Sequence, residues 1–172
     1  MEGKRMSDEL FGGQADFDLE AEESLDEMYL TFMLADDEFG INISYVTEII
    51  GILAITFVPD LPSYVKGIIN LRGQIIPVID IRLRFQKEPK EYNDRTCVIV
   101  LQINDLSIGF IVDSVASCCA IPHESVIDPP PSQRHYHQKY VSGIGRMIDK
   151  IVLILDCEKL IGEDMGFSSD VA

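Results

Sequence analysis

Gly67-Ile68-Ile69-Asn70-Leu71-Arg72-Gly73-Gln74-Ile75-Ile76-Pro77-Val78-Ile79-Asp80-Ile81-Arg82 decides how this chain folds. Two apolar, β-branched runs flank Asn70 to Gly73, which reads as two strands around a tight turn. Gly73 supplies the positive φ that other residues resist. Pro77 inside the second run predicts an edge strand or a bulge, because proline cannot donate to a ladder. Upstream, Pro59-Asp60-Leu61-Pro62-Ser63 breaks the pattern, and Leu61 to Lys66 is predicted as one helical turn ending at Gly67.

Working outward, a second copy of the same element appears. Tyr64-Val65-x-Gly67-Ile68 recurs as Tyr140-Val141-x-Gly143-Ile144, an offset of 76 that also carries Ile79-Asp80 onto Leu155-Asp156. Two hairpins repeat at an offset of 69, with Leu30 and Phe32 on Ile99 and Leu101 and with Gly40 on Gly109. The first runs from Met28 through the turn Asp36-Asp37-Glu38 to Tyr45; residues 46–58 continue it as apolar sequence. The second spans Thr96 to Ile103 and Ile108 to Val115 around Asn104-Asp105. Phe85 to Arg95 is read as a connecting loop. The seven-residue difference between offsets is an insertion around Pro129-Pro130-Pro131. The chain is therefore two degenerate copies of one β unit, about 28–90 and 91–162. Each is expected to form a small five-stranded closed barrel, and the two to pack on each other, since neither buries much surface alone.

Composition narrows the function. The 172 residues are 47% hydrophobic and lack Trp, so Leu, Ile and Val must fill the core. No stretch approaches the ~18 apolar residues of a membrane span, and the N-terminus has no apolar signal-like segment. The net charge of −15 is mostly terminal: residues 1–27 hold ten carboxylates against Lys4 and Arg5. Residues 28–162 carry 16 acidic and 12 basic groups, which leaves no basic footprint for nucleic acid. We read 1–27 as a disordered acidic leader, with Phe11, Phe17 and Leu19 as a conceivable docking motif, and 163–172 as a flexible tail. Reduced thiols are expected of Cys97, Cys118, Cys119 and Cys157, none of which makes a C-x-x-C pair.

Catalytic constellations are weak. His135-x-His137 places two imidazoles on one face but has no third ligand at metal spacing, so a solvated loop is expected, and no metal or cofactor. Cys118-Cys119 read as small hydrophobes on opposite strand faces. Asp80 and Asp156 occupy equivalent positions and are expected to be strand-end caps, not a carboxylate pair. No nucleophile elbow, phosphate loop or dinucleotide fingerprint is present, and no enzymatic activity is expected. Interest moves to surface. If the alternation Ile41, Ile43, Tyr45 is inward, then Val46 and Glu48 point outward. Arg72 sits at a turn tip, where its planar fork suits a protein interface.

The sixteen-residue run resembles the signature of the CheW family: Gly, two hydrophobics, Asn-Leu-Arg-Gly, any residue, two hydrophobics, Pro, two hydrophobics, Asp, a hydrophobic and Arg. Asp37-Glu38-Phe39-Gly40-Ile41, Val46-x-Glu48-Ile49, Tyr92-Asn93-Asp94 to Asp113-Ser114-Val115 and Tyr140-Val141-x-Gly143 fit its other motifs in order, over 28–162. The resemblance implies an all-β fold of two intertwined SH3-like five-stranded barrels sharing a core, with one or two short helices. It implies a cytoplasmic adaptor at the base of membrane chemoreceptor arrays. The implied partners are the cytoplasmic tip of methyl-accepting chemoreceptors, the regulatory domain of the CheA histidine kinase and further CheW copies. Val46, Glu48, Arg72 and Gly73 match positions the family uses in partner contacts, flanked by Lys66 and Asn70. The leader is longer than is usual for the family, and Pro129 to Gln138 departs from its loop, which can border a second partner surface. The alternative within this fold is a module of a larger signalling protein, a CheA regulatory domain or CheV-type; the receiver that CheV carries is not expected here.

Overall fold

A computed structural model describes residues 25–130 and 139–162. Eleven strands and two short helices follow in order: β1 (Met28–Leu34), β2 (Asp37–Asn42), β3 (Val46–Gly51), β4 (Val65–Leu71), β5 (Gln74–Asp80), α1 (Ile81–Arg84), β6 (Cys97–Ile103), β7 (Leu106–Val112), β8 (Ser114–Ala120), β9 (Val126–Ile127), β10 (Val141–Arg146), β11 (Ile151–Leu155) and α2 (Cys157–Ile161). One sheet runs β3-β6-β7-β5-β4 and the other β8-β1-β2-β11-β10-β9.

The sheets do not follow the repeat boundary near residue 90. The hairpin β6–β7 of the second copy lies between β3 and β5 of the first, and the hairpin β1–β2 of the first lies between β8 and β11 of the second. Each copy lends its opening hairpin to the other's barrel. The reason is that these hairpins bury side chains on both faces and need two partners. In β6, Ile99, Leu101 and Ile103 face a core shared by both barrels, while Val98 and Val100 pack with Ile69, Ile76, Val78 and Ile111 inside the first. In β1, Leu30, Phe32 and Leu34 join the shared core and Tyr29 packs with Ile121, Val152 and Ile154 of the second. Strands buried on both faces read as near-continuous apolar runs. Each fully buried large side chain contributes about 1.5–3 kcal/mol.

Phe32, Phe39, Phe85 and Tyr140 form an aromatic chain through the shared core, with successive ring centroids 6.0, 5.3 and 5.8 Å apart. Phe85, assigned to a polar loop from sequence, is buried because α1 turns it inward. Beside this chain, Arg84 is 8% exposed. Its guanidinium lies 4.1 Å from the Tyr64 ring and 4.8 Å from the Tyr140 ring, and its Nε donates to the Leu160 carbonyl at 2.9 Å. Tyr64 and Tyr140 are repeat-equivalent, as are Arg84 and Leu160, so one arginine clasps the two copies at their junction. The amide of Asp80 donates to the Tyr64 carbonyl at 2.9 Å and that of Asp156 to the Tyr140 carbonyl at 2.8 Å. Both carboxylates are caps, as their positions suggested: Asp80 accepts from the Arg82 and Leu83 amides, Asp156 from the Lys159 amide.

Several local expectations are corrected. No helical turn precedes Gly67; a turn at Ser63-Tyr64 leads into β4. Gly67 (φ 144°) is required instead because the chain after β3 crosses it, and a Cβ there would sit 2.1 Å from the Thr56 carbonyl oxygen. Ile68 exchanges both backbone hydrogen bonds with Thr56, at 2.8 and 2.9 Å, which links the two edges of the first sheet. Pro77, opposite Ile68, is therefore at a position where β4 asks nothing of its nitrogen. Its strand is interior, and the parallel ladder to β7 begins only at Val78. The run after Phe39 leaves the strand at Asn42, whose side chain accepts from the Ser44 amide and starts a single 3-10 turn. The second hairpin stops at Asp113, where the chain passes from one sheet to the other. Asp113 is held by Arg82 at 2.6 and 2.5 Å and by the Ala35 amide at 2.9 Å.

Two residues read as the end of the leader are hydrogen-bonded to the sheets: Asn42 Nδ2 donates to the Asp26 carbonyl at 2.9 Å, and the Ile121 amide donates to the Glu27 carbonyl at 2.8 Å. Residues 1–24, the imidazoles His135 and His137, and the tail after Gly162 lie outside the described residues.

Candidate partner-binding surface

The turn between β4 and β5 is built by its own residues. Asn70 Oδ1 accepts from the Gly73 amide at 2.8 Å, and both Arg72 (φ 52°) and Gly73 (φ 86°) are left-handed. Two successive positive φ values match the twist of a two-residue hairpin, which asparagine and glycine fill most easily. An arginine at the first of these positions works against the backbone, which marks it as kept for another reason.

That side chain reaches back across the barrel mouth. Arg72 Nη1 and Nη2 donate to the two carboxylate oxygens of Glu48 at 2.9 and 2.8 Å. β3 and β4 are the edges of the first sheet, so the fork closes its mouth on the outside where the Thr56–Ile68 bridge closes it within. The Arg72 side chain is 73% exposed and that of Glu48 26%. The hydrogen bonds from Arg72 hold the Glu48 carboxyl below the usual range, and those to Glu48 push the Arg72 guanidinium up. Exposed pairs of this kind add little stability. What they provide is orientation: a planar, bidentate donor with most of its surface open to a partner.

The other expected contacts divide. Gly73 lies at the tip with open space around its α-carbon, and Asn70 is exposed but occupied in shaping the turn. Val46 does not point outward with Glu48. A bulge between them pairs Val46 with Leu101 and Glu48 with Val100, on opposite faces, and Val46 packs half-buried on the shared core. Lys66 lies at the far end of β4, six residues or about 20 Å along the strand from Arg72. Its ammonium sits over the Tyr92 ring at 6.0 Å. The signature's closing Asp80 and Arg82 are structural. Asp80 also accepts from the Tyr92 hydroxyl at 2.8 Å, and burial followed by that bond pushes the phenol pKa up.

Sequence reasoning missed the face that corresponds to this one in the second barrel. At the offset of 76, Arg72 falls on Ile148, Gln74 on Lys150 and Ile75 on Ile151. Ile148 is fully exposed, at 107%, and Ile151 is 61% exposed. Glu48 corresponds to Ser117, which hydrogen-bonds Thr31 instead. Where Gln74 donates to Ser107, Lys150 pairs with Glu38 at 2.9 Å. Ala120, Ile121, Pro122, Met147 and Ile148, with Arg146 and Asp149 on the rim, line a shallow apolar groove of about 260 Å³. The signal was an isoleucine between Met147 and Asp149, at a turn tip where the first copy has arginine.

A second groove of about 270 Å³, polar, is lined by Tyr29, Asn42, Tyr45, Asp156, Cys157 and Glu158. Burial pushes the Cys157 thiol up to about 12, helped by the neighbouring Asp156 and Glu158 charges, so it is no nucleophile. Among the described residues, no group of three His, Cys, Asp or Glu is placed to hold a metal ion, and no helix is long and apolar enough to cross a membrane.

Two interlocked SH3-like β-barrels presenting one ionic and one apolar end are a protein-binding module by architecture. The comparisons name its family. The model of the CheW-like domain matches residues 28–165. The chain is 33% identical over 153 residues to the chemotaxis protein CheW of Klebsiella aerogenes, covering 88% of this chain and 92% of that one. It is also 33% identical to CheW of Helicobacter pylori, covering 79% and 82%. Among solved structures, the scaffolding protein TtCheW of Thermoanaerobacter tengcongensis superposes with a TM-score of 0.75 at 33% identity, covering 81% of this chain and 97% of that one. The chain belongs to the CheW family.

Proposed function

We propose that this chain is a chemotaxis adaptor without catalysis of its own, coupling chemoreceptors to the CheA histidine kinase. Its family membership and its likeness to a scaffolding protein over nearly that protein's full length support the reading. The observation that carries it is Arg72. It occupies a left-handed position that the turn would fill better with Asn or Gly, it is mostly exposed, and its repeat counterpart is an isoleucine. The fold does not ask for it.

In this reading Arg72 and Glu48 are the anchors and Asn70 and Gly73 set the turn that aims them, while Val46, packed on the shared core, and Lys66, at the far end of β4, lie away from them. The partners are the cytoplasmic receptor tip and the regulatory domain of the kinase, with further copies of the adaptor beside them. The adaptor sits in the cytoplasm at the receptor array. Binding energy concentrates in few residues, and signalling is a coupling between bound receptor and bound kinase. A pull-down of a receptor tip fragment and of the kinase regulatory domain tests this, with wild type and Arg72→Glu. We expect wild type to capture both and the folded variant to lose at least one. Retention of both by Arg72→Glu removes Arg72 as an anchor; capture of neither by wild type removes the adaptor reading.

A further inference from the structure

The apolar groove on the second barrel lies beside the point where the acidic leader joins the domain. The Glu27 carbonyl accepts from the amide of Ile121, a residue that lines the groove, and the Glu27 carboxylate accepts from the His123 amide at 3.2 Å. Met28 pairs in register with Ala120, which also lines it. Residues 1–24 thus leave the domain from the rim of this groove, at Leu25, which is itself 54% exposed. At the equivalent end of the first barrel Cys97 pairs with Gly51, and the chain before it is the connection from α1.

We propose that the leader is the groove's occupant: the segment Phe11 to Leu19 folds back so that Phe17 and Leu19, with Phe11 behind them, cover Ile148 and Met147. Two observations support this segment over a separate partner. Reach is ample, since the eight residues from Leu19 to Glu27 span up to about 26–29 Å when extended. Tethering matters more: a short flexible tether supplies an effective concentration of about a millimolar, so a contact too weak to form between molecules forms within one. Carboxylates flank Phe17 and Leu19 at Asp16, Asp18 and Glu20; on the rim Arg146 can meet one of them, while Asp149 would have to stay clear of them, which favours an approach on the Arg146 side. The leader then masks the second barrel's apolar end and must be displaced before another protein docks there. This rests on the groove and its neighbouring chain end, and not on the adaptor reading.

Methyl NMR of the full chain tests it, comparing wild type with a Phe11→Ser/Phe17→Ser/Leu19→Ser variant. These substitutions lie outside the described residues. We expect the Ile148 δ1 and Met147 ε signals to shift as the aromatic rings leave them, while Ile75 δ1, at the first barrel's corresponding end, stays in place. Unmoved Ile148 and Met147 signals overturn the proposal, as does an equal shift at Ile75, which signifies non-specific contact. A wild-type Ile148 signal that moves with protein concentration but ignores the leader substitutions assigns the groove to a second copy and also overturns it. In the reciprocal arm, Ile148→Ser, at a fully exposed turn, is expected to speed amide exchange over residues 11–19. Unchanged exchange there counts against the proposal.

Discussion

The two barrels end in turns at corresponding places, left-handed at Arg72 and Gly73 but not at Ile148 and Asp149, and present opposite chemistry. At the first end, Asn70 shapes the turn, Arg72 forks onto Glu48 and Ile75 stands beside them. At the second, Ile148 and Ile151 occupy the places of Arg72 and Ile75, Ser117 stands in for Glu48, and an apolar groove opens between Ile148 and the segment from Ala120 to Pro122. The strands on either side pair in the same way, Leu71 with Gln74 and Arg146 with Ile151, while the turns and the side chains they carry differ. The shared features are the capping aspartates, the two tyrosines and the glycines at the strand entries. The differences are the surface each barrel offers.

The largest expected effect separates the glycines. Gly67→Ala drives a Cβ into the Thr56 carbonyl at a left-handed φ, and we expect a loss of more than about 4 kcal/mol or no folded protein. At its counterpart Gly143 the nearest atom is the Val126 side chain at 2.7 Å, which can yield, so Gly143→Ala is expected to cost about 1–3 kcal/mol. Denaturant titration of both variants checks the ordering; equal losses would deny that the chain crossing at Thr56 makes the first entry special. Next comes the clasp. Arg84→Leu installs the residue of the second copy and removes a buried guanidinium from between two rings and a carbonyl. A loss of about 2–4 kcal/mol is expected in the same assay.

At the ionic end the effect moves from stability to binding. Arg72→Glu is expected to weaken partner capture about 10- to 100-fold by titration calorimetry, with an unchanged melting temperature. Arg72→Asn suits the turn better and should melt at or above wild type while still binding poorly. A variant that bound well and melted low would return Arg72 to a structural role.

Acid stability contrasts the half-buried pair of Arg82 and Asp113 with the exposed one of Arg72 and Glu48. Burial alone would raise the Asp113 pKa, but hydrogen bonds from Arg82 and the Ala35 amide outweigh it and leave the carboxyl lowered. A carboxyl lowered in the folded state contributes stability above its unfolded pKa and loses it as pH falls through the folded value. Asp113→Asn should therefore flatten the acid limb of the stability curve, while Glu48→Gln, at a solvated site, should barely alter it. The smallest effect concerns the thiols. With its pKa pushed up to about 12, Cys157 should resist alkylation near neutral pH in native protein, as befits a residue whose counterpart is Ile81. Exposed Cys118 should be modified first, as peptide mass spectrometry would show.

Much of this was legible in the chain. The two offsets exposed the repeat because the strand entries and caps are local demands: Gly67 and Gly143, Asp80 and Asp156 recur wherever the backbone makes the same bend. The turn at Arg72-Gly73 was visible for the same reason. What the chain alone determined, then, is the inventory of β units, their turns and the signature that marks Arg72. Tertiary structure decided which hairpin joins which sheet, because strands apolar on both faces do not declare which partner covers each. It also decided that a bulge puts Val46 on the shared core and Glu48 on the opposite face, beside Val100 at the first barrel's mouth, that Arg72 and Glu48 meet across that mouth, and that Ile148 stands exposed beside the root of the leader. Those are contacts between segments far apart in sequence, and periodicity along one strand cannot specify what lies across from it.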